Sequence, residues 1–216
     1  IHEVRFNGGN NQVSVGVDNT HGCTGGSGDS FLLTVVNVGP YTNDVHLGDI
    51  TTHNNFSFTS PGSLTICGPI TASNVGTDPT ITLGTTGAAS TITQETGSTV
   101  TADGNVTYSS SHLILNDSTS SVGGNIIVNN PNANTPLTVA FNSGGDFTAG
   151  GNVEFNSSGV NQGISITGGP TNGVITANNG TGTVALNGGQ NAVSAVLNEV
   201  DACVIGTGTS VLINVA

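Results

Sequence analysis

A repeated phrase constrains the fold of this chain more than any other feature. The sequence TADGNVTYSSS at Thr101–Ser111 recurs as TAGGNVEFNSS at Thr148–Ser158, with seven of eleven positions identical. A shorter copy, GGNIIVN, begins at Gly123, and a weaker one, GGNNQVSV, begins at Gly8. In each copy a Gly-containing corner precedes a strand in which apolar and polar residues alternate. Such units cannot bury their apolar face alone, so the repeat predicts that successive units stack.

The spacing of the Gly-Asn pairs indicates the length of one unit. The pairs begin at Gly104, Gly124 and Gly151, so the second interval is longer than the first. Both intervals are close to the twenty-odd residues that are typical of one coil of a solenoid. The longer second interval predicts either a variable loop in one coil or a different all-β fold. The Asn of each pair can stack in a ladder or bond to its own backbone.

Short β-rich runs occur along the whole chain, and helix signals are almost absent. The best helical candidate, 191–200, reads equally well as a strand. Gly, Asn, Asp, Ser or Pro bounds every run. We therefore predict an all-β fold, with a parallel β-solenoid favoured over a β-sandwich or jelly-roll subunit completed by donor-strand exchange. Residues 1–72 form an irregular N-terminal β region, and residues 73–216 form a repetitive region of short strands. The predicted strands are Val4–Phe6, Val13–Val17, Phe31–Val38, Ser63–Ile66, Thr80–Leu83, Thr91–Thr93, Asn105–Tyr108, Leu113–Leu115, Asn125–Val128, Leu137–Phe141, Val153–Phe155, Ile164–Ile166, Val174–Thr176, Val184–Leu186, Val193–Leu197, Ala202–Ile205 and Val211–Val215.

The charge balance excludes several classes of function. Arg5 is the only Lys or Arg beside thirteen carboxylates, and the formal net charge is −12. Nucleic-acid binding needs several cations to neutralise phosphates, and an anionic membrane surface would repel this chain. No stretch approaches the ~18 consecutive apolar residues of a membrane helix. We expect no nucleic-acid partner and no membrane insertion.

The three cysteines are relevant to whether the protein is secreted, because a disulfide is typical of secreted proteins. None of Cys23, Cys67 and Cys203 has a zinc-type spacing. Because Cys23 and Cys67 both lie in the N-terminal third, we expect them to form a disulfide. The alternative is that all three are small buried apolar residues. The chain starts at Ile1 without Met, which predicts a processed mature form or an excised fragment, and a mature form fits secretion.

Metal binding has weak candidates. His21, Cys23 and Asp29 lie in one Gly-rich loop and form a conceivable set of ligands. The segment Gly25–Leu33 nearly matches a calcium-binding glycine nonapeptide, but Asp29 stands fifth instead of sixth and the motif is not repeated. We expect no cofactor, with calcium held by Asp side chains and carbonyls as the alternative.

Catalysis is not expected. Glycosidase chemistry needs two carboxylates roughly 5–10 Å apart. The chain has no Trp and two Tyr to form a sugar platform, and it has no GxSxG motif. We predict no catalytic residue and no enzyme, with a polysaccharide-active enzyme as a remote alternative. The candidate carboxylates for that alternative are Glu95, Asp103, Asp117, Asp146 and Glu154.

Three TxT triplets, Thr80–Thr82, Thr91–Thr93 and Thr99–Thr101, suggest a second remote alternative. A flat Thr array on one face of a solenoid can order water, which would make the chain an ice-binding protein. The triplets are unevenly spaced along the chain, so they do not indicate a regular array.

The phrase GGNV-x-[FY]-x-S-S resembles the coils of bacterial secreted β-solenoids, of the filamentous-haemagglutinin type and of autotransporter passenger domains. The resemblance covers the chain from about position 80 to its last residue, Ala216. It implies a right-handed parallel β-helix, export to the cell surface, and a scaffold or adhesive role. Cysteines are rare in such passengers and the N-terminal region does not follow the repeat, so both features depart from it.

These observations predict an extracellular structural protein of a microbial surface, self-assembling as a filament or surface-layer subunit. The alternative is a monomeric β-solenoid adhesin that binds glycans or a host surface. Both ends of the chain are apolar alternating strands, of the kind that pairs with an open sheet edge. We expect the chain to bind itself. The predicted assembly residues are Ile1, Val4, Phe6, Val211, Ile213 and Val215.

Overall fold

The chain forms a parallel β-solenoid. A computed structural model describes residues 4–7, 9, 11–17, 22–35, 44–157, 159–169 and 171–215. Over these residues there are 25 strands and one 3-10 turn, Asn178–Gly180. The predicted all-β class is confirmed. The strands are β1 Val4–Asn7, β2 Val13–Val17, β3 Thr24–Gly28, β4 Phe31–Val35, β5 Val45–Thr52, β6 Phe56–Ser60, β7 Leu64–Ile66, β8 Ile70–Ala72, β9 Ile81–Thr85, β10 Thr91–Gln94, β11 Val100–Ala102, β12 Val106–Ser109, β13 His112–Leu115, β14 Thr119–Ser121, β15 Ile126–Asn129, β16 Leu137–Phe141, β17 Phe147–Ala149, β18 Val153–Asn156, β19 Ile164–Thr167, β20 Val174–Ala177, β21 Thr183–Asn187, β22 Ala192–Leu197, β23 Glu199–Asp201, β24 Cys203–Thr207 and β25 Ser210–Val215.

The strands lie on three faces, and each strand pairs in parallel with the equivalent strand one coil away. Face 1 contains β7, β10, β13, β16, β19, β22 and β25. Face 2 contains β1, β3, β8, β11, β14, β17, β20 and β23, and face 3 contains β6, β9, β12, β15, β18, β21 and β24. β2 and β4 pair as a separate small sheet, and β4 contacts β6. The parallel pairing matches the favoured solenoid instead of the antiparallel sandwich.

Strand β5 turns a corner and joins faces 1 and 2 into one sheet. Its first residues, Val45–Leu47, pair with β7, and its last residues pair with β8. The bend lies at Gly48 and Asp49, and Asp49 has a positive φ of 52°. A Cβ on Gly48 would lie 2.2 Å from the backbone nitrogen of Gly68, so the close approach of two coils requires glycine here.

The sequence repeat coincides with the register of the coils. Val106 lies beside Ile126, and Ile126 lies beside Val153, so the three Gly-Asn corners stack in successive coils. The predicted stacking is confirmed. The longer second interval arises mainly because the turn 130–136 stands where the preceding coil has only Ser110 and Ser111 between two strands.

The core is a continuous column of inward side chains. One cluster of buried apolar residues extends from Phe31 to Leu197. The ring of Phe147 lies 6.3 Å from that of Tyr108, 6.1 Å from that of Phe155 and 5.0 Å from that of Phe141. These contacts across successive coils show that each coil covers the apolar face of its neighbour, as the repeat requires.

One polar network is buried in this column. The Tyr108 hydroxyl lies 3.1 Å from Oε1 of Gln94 and 2.8 Å from Oγ1 of Thr119, and Nε2 of Gln94 donates to the Ser118 carbonyl at 2.9 Å. Burial raises the pKa of Tyr108 far above its ordinary value, and the bond to Thr119 offsets only part of this rise. Because each buried polar group has a partner, the network is compatible with an apolar core.

Sequence patterns found the strands of faces 1 and 3 more readily than those of face 2. Strands β8, β11, β14, β17 and β23 on face 2 were not predicted, and each has only three residues, which is too short to show clear alternation. The longer strands β5 and β6 were also not predicted. The predicted run Phe31–Val38 contains β4, Phe31–Val35, and its remaining residues lie outside the described part of the chain, as do 39–43. The Gly-rich β3 also lacks the residues that favour strands. The division of the chain at residue 72 stays a prediction.

Candidate functional site

Asparagines at the corner before face 3 bind one coil to the next. Oδ1 of Asn105 accepts the backbone N–H of Asn125 at 2.8 Å, and Oδ1 of Asn125 accepts that of Asn152 at 2.8 Å. Oδ1 of Asn152 accepts the N–H of Thr183 at 3.0 Å. A Cβ on Gly124 would lie 2.5 Å from Oδ1 of Asn105, so the glycine provides the space for this bond. The Gly-Asn motif therefore joins coils, and each Asn bonds to its neighbour's backbone instead of its own.

Side-chain amides form a second ladder where face 3 ends. Nδ2 of Asn187 donates to Oδ1 of Asn156 at 2.7 Å, and Nδ2 of Asn156 donates to Oδ1 of Asn129 at 3.0 Å. At another corner, Nδ2 of Asn142 donates to Oδ1 of Asn116 at 2.9 Å. Identical residues in equivalent positions satisfy each other along the stack, which gives the abundant Asn a structural role.

Three of the five candidate carboxylates cap turns in neighbouring coils. Each accepts a backbone N–H: Asp103 from Asn74 at 2.8 Å, Asp117 from Gly97 at 2.6 Å, and Asp146 from Val174 at 2.8 Å. Glu95 is exposed in a turn, and Glu154 lies half-buried in β18. The described bonds of Asp103, Asp117 and Asp146 thus stabilise separate turns.

One member of the conceivable metal set at the N-terminal loop, Cys23, is not available as a ligand. Cys23 forms a disulfide with Cys67, with Cα atoms 5.9 Å apart, and this removes its sulfur as a thiolate ligand. Oδ1 of Asp29 lies 3.8 Å from Nδ1 of His53, and Oδ2 accepts from Asn54. His21 lies outside the described residues. Among those that are described, no three His, Cys, Asp or Glu side chains form a group that could hold a metal ion.

The three TxT triplets do not share a face. Thr80–Thr82 enters β9 on face 3, Thr91–Thr93 lies in β10 on face 1, and Thr99–Thr101 enters β11 on face 2. The register aligns a different set of outward residues, all hydroxyl-bearing and all on face 2. We call it the hydroxyl column: Ser27, Thr51, Thr71, Thr101, Ser120, Thr148 and Thr176.

The predicted C-terminal assembly strand forms the edge of the last coil. Val211, Ile213 and Val215 of β25 lie beside Val193, Ala195 and Leu197 of β22, which are at most 2% exposed. Val211 is 43% exposed and Val215 is 44% exposed, whereas Ile213 is half-buried against the core. The inward column of face 1 thus continues into β25, where no described coil covers it.

The predicted N-terminal assembly residues are described only in part. Val4 and Phe6 lie in β1, which pairs with β3 on one side, and Ile1 lies outside the described residues. Cys203 begins β24 in the last coil, and its free thiol is exposed. Both ends of the described stack therefore have strands that pair on one side only.

No protein-family model, curated protein or solved structure matches this chain. No helix among the described residues is long and apolar enough to cross a membrane. The surfaces of the solenoid are therefore the basis for inferring its function.

Proposed function

We propose that this chain is an extracellular structural protein of a microbial surface that assembles end to end. The docking surface is the last coil, formed by β23, β24 and β25, and its occupant is a second copy of the chain. The observation that carries the proposal is the exposed apolar column on β25, since the same positions one coil earlier are buried.

Covering the last coil would bury apolar area and pair backbone groups. Val211 and Val215, two inward residues of β25, are 43% and 44% exposed. Full burial of such a side chain contributes about 1.5–3 kcal/mol, so covering two that are nearly half exposed contributes on the order of 1–3 kcal/mol. This is less than the lower estimates for the cost of association, so assembly also depends on backbone pairing along the open edges of β23 and β24.

A second copy offers matching strands. β1 and β2 each pair with one described strand, β3 and β4 respectively. β1 belongs to face 2, and the β2–β4 sheet contacts face 3 through β6. Docking β1 on β23 and β2 on β24 would continue the parallel pairing of both faces. A head-to-tail contact of this kind does not close on itself and produces filaments.

One feature supports an extracellular location, and the low charge supports assembly. The Cys23–Cys67 disulfide is typical of proteins exposed to an oxidising environment. Only 6% of residues are charged, which favours close packing between neighbouring solenoids. The exposed Cys203 thiol lies on the docking coil.

The test compares Val211→Asp with a matched control, Val75→Asp. Val75 is fully exposed, at 102%, in a turn far along the chain from β25. We expect wild type and Val75→Asp to show filaments by negative-stain electron microscopy and mass that rises with concentration in sedimentation velocity. Val211→Asp should stay monomeric, because assembly would bury its charge.

A monodisperse wild type at every concentration would overturn the proposal and favour the monomeric adhesin. Assembly of Val211→Asp to the same extent as Val75→Asp would show that another surface mediates it. Far-UV circular dichroism of both variants shows whether each retains the solenoid.

A further inference from the structure

The hydroxyl column is a file of register partners on the outward side of face 2. Thr71, Thr101, Ser120, Thr148 and Thr176 are direct register partners in five successive coils. Thr51 and Ser27 extend the file by two coils. Neighbouring strands lie about 4.7–4.9 Å apart, so the seven hydroxyls span about 29 Å at a nearly constant interval.

Six of the seven hydroxyls of this file, all except that of Ser27, are available to an external ligand. Leaving Ser27 aside, no side chain of the column makes a hydrogen bond within the part of the chain that the structure describes. Inward hydroxyls of the same strands are engaged, as Ser121 shows by donating to the Gly104 carbonyl at 2.7 Å. The β-branched Thr members have few χ1 rotamers, so binding orders them at low entropic cost.

The interval between the hydroxyls is close to one that occurs in tetrahedral water. Oxygens joined by hydrogen bonds of about 2.75 Å at the tetrahedral angle have second neighbours about 4.5 Å apart. The column differs from this spacing by about 0.3 Å per coil. With the lattice centred on Thr101, members one coil away are displaced by about 0.3 Å, which is within the roughly 0.5 Å range of O–H···O distances, so Thr71, Thr101 and Ser120 match neighbouring lattice positions. The displacement grows to about 1 Å three coils away, so the match is best at the centre of the column.

We infer that face 2 binds ice, with the hydroxyl column replacing a row of lattice waters. The file ends at Thr176, whose partner in the last coil is Asp201, and over the described strands the other faces have no hydroxyl file of comparable length. The outward positions of face 1 include His112, Ile114 and Val196, and those of face 3 include Ile127 and Glu154. The inference is independent of end-to-end assembly, which would only lengthen the file.

The experiment compares Thr101→Lys with Thr107→Lys. Thr101 lies at the centre of the column, whereas Thr107 lies on face 3 of the same coil. Both threonines are half-buried and point outward from the middle of a strand. The two variants therefore carry the same charge change at equivalent depth and differ in the face that they obstruct.

The readouts are thermal hysteresis and enrichment of labelled protein in slowly growing ice. We expect wild type and Thr107→Lys to show both, and Thr101→Lys to lose both while its circular dichroism and melting temperature match those of Thr107→Lys. Wild type that is excluded from ice like a non-binding protein would overturn the inference. Equal activity of the two variants, or retention on crystalline cellulose or chitin without enrichment in ice, would also overturn it.

Discussion

Replacing Gly124 with alanine should destabilise the solenoid, whereas replacing Gly123 should not. A Cβ on Gly124 would lie 2.5 Å from Oδ1 of Asn105 and 2.6 Å from the carbonyl carbon of Gly104. A Cβ on Gly123 would meet only the Asp103 carbonyl oxygen, at 3.3 Å. Neither glycine has a positive φ, so the two sites differ in the space around an added Cβ and not in backbone conformation.

The magnitude follows from three terms. Overpacking costs about 1–3 kcal/mol, and displacing Asn105 from the Asn125 N–H removes about 1 kcal/mol more. Alanine also lowers the conformational entropy of the unfolded chain, which stabilises either variant by about 0.4–1 kcal/mol. Gly124→Ala should therefore lose about 2–3 kcal/mol and melt roughly 5–10 °C below wild type, whereas Gly123→Ala should lie within about 1 kcal/mol of it.

Thermal and urea denaturation followed by far-UV circular dichroism measure both differences. Equal melting temperatures for the two variants would refute the argument, because both sites are Gly-to-Ala changes at adjacent residues. A Gly124→Ala protein as stable as wild type would show that the corner can move away from Asn105 at little cost.

Two further predictions concern the core and the disulfide. Cys67→Ser, or reduction of wild type, opens the loop of sequence separation 44 and should cost about 4 kcal/mol on the chain-entropy estimate. An unchanged urea midpoint after reduction would contradict this. Above about pH 10, Tyr108 ionises in the unfolded chain but stays protonated in the fold, so stability should fall by up to about 1.4 kcal/mol per pH unit. Tyr108→Phe should show a shallower decline between about pH 10 and 11.5, and identical slopes in urea titrations of both proteins would contradict the assignment.

Local patterns sufficed to predict much of the stack. The alternation in Val106–Ser109 and in its copies indicated both the strand and its inward residues. Successive side chains of a strand point to opposite faces, so a half-buried strand is visible in the sequence as alternating apolar and polar residues. The Gly-Asn phrase predicted that its copies stack, and the structure shows this stacking as the approach of Gly124 to Asn105.

The hydroxyl column had no comparable signal. Its members lie mostly on three-residue strands, and turns of different length separate them in sequence. Thr101 is the direct partner of both Thr71 and Ser120, although the chain from Thr71 to Thr101 is much longer than the chain from Thr101 to Ser120. Counting along the chain therefore cannot align them, and the Thr triplets that stand out in the sequence belong to three faces.

The residue types and their alternation were enough to specify an all-β chain of stacked coils, because side-chain periodicity and turn chemistry are local properties. Which hydroxyls share a face, which carboxylates cap turns and which valines remain uncovered depend on hydrogen-bond pairing between coils. Strands pair in the same register whatever the length of the turns between them, so the positions that pairing brings together are not evenly spaced in the sequence.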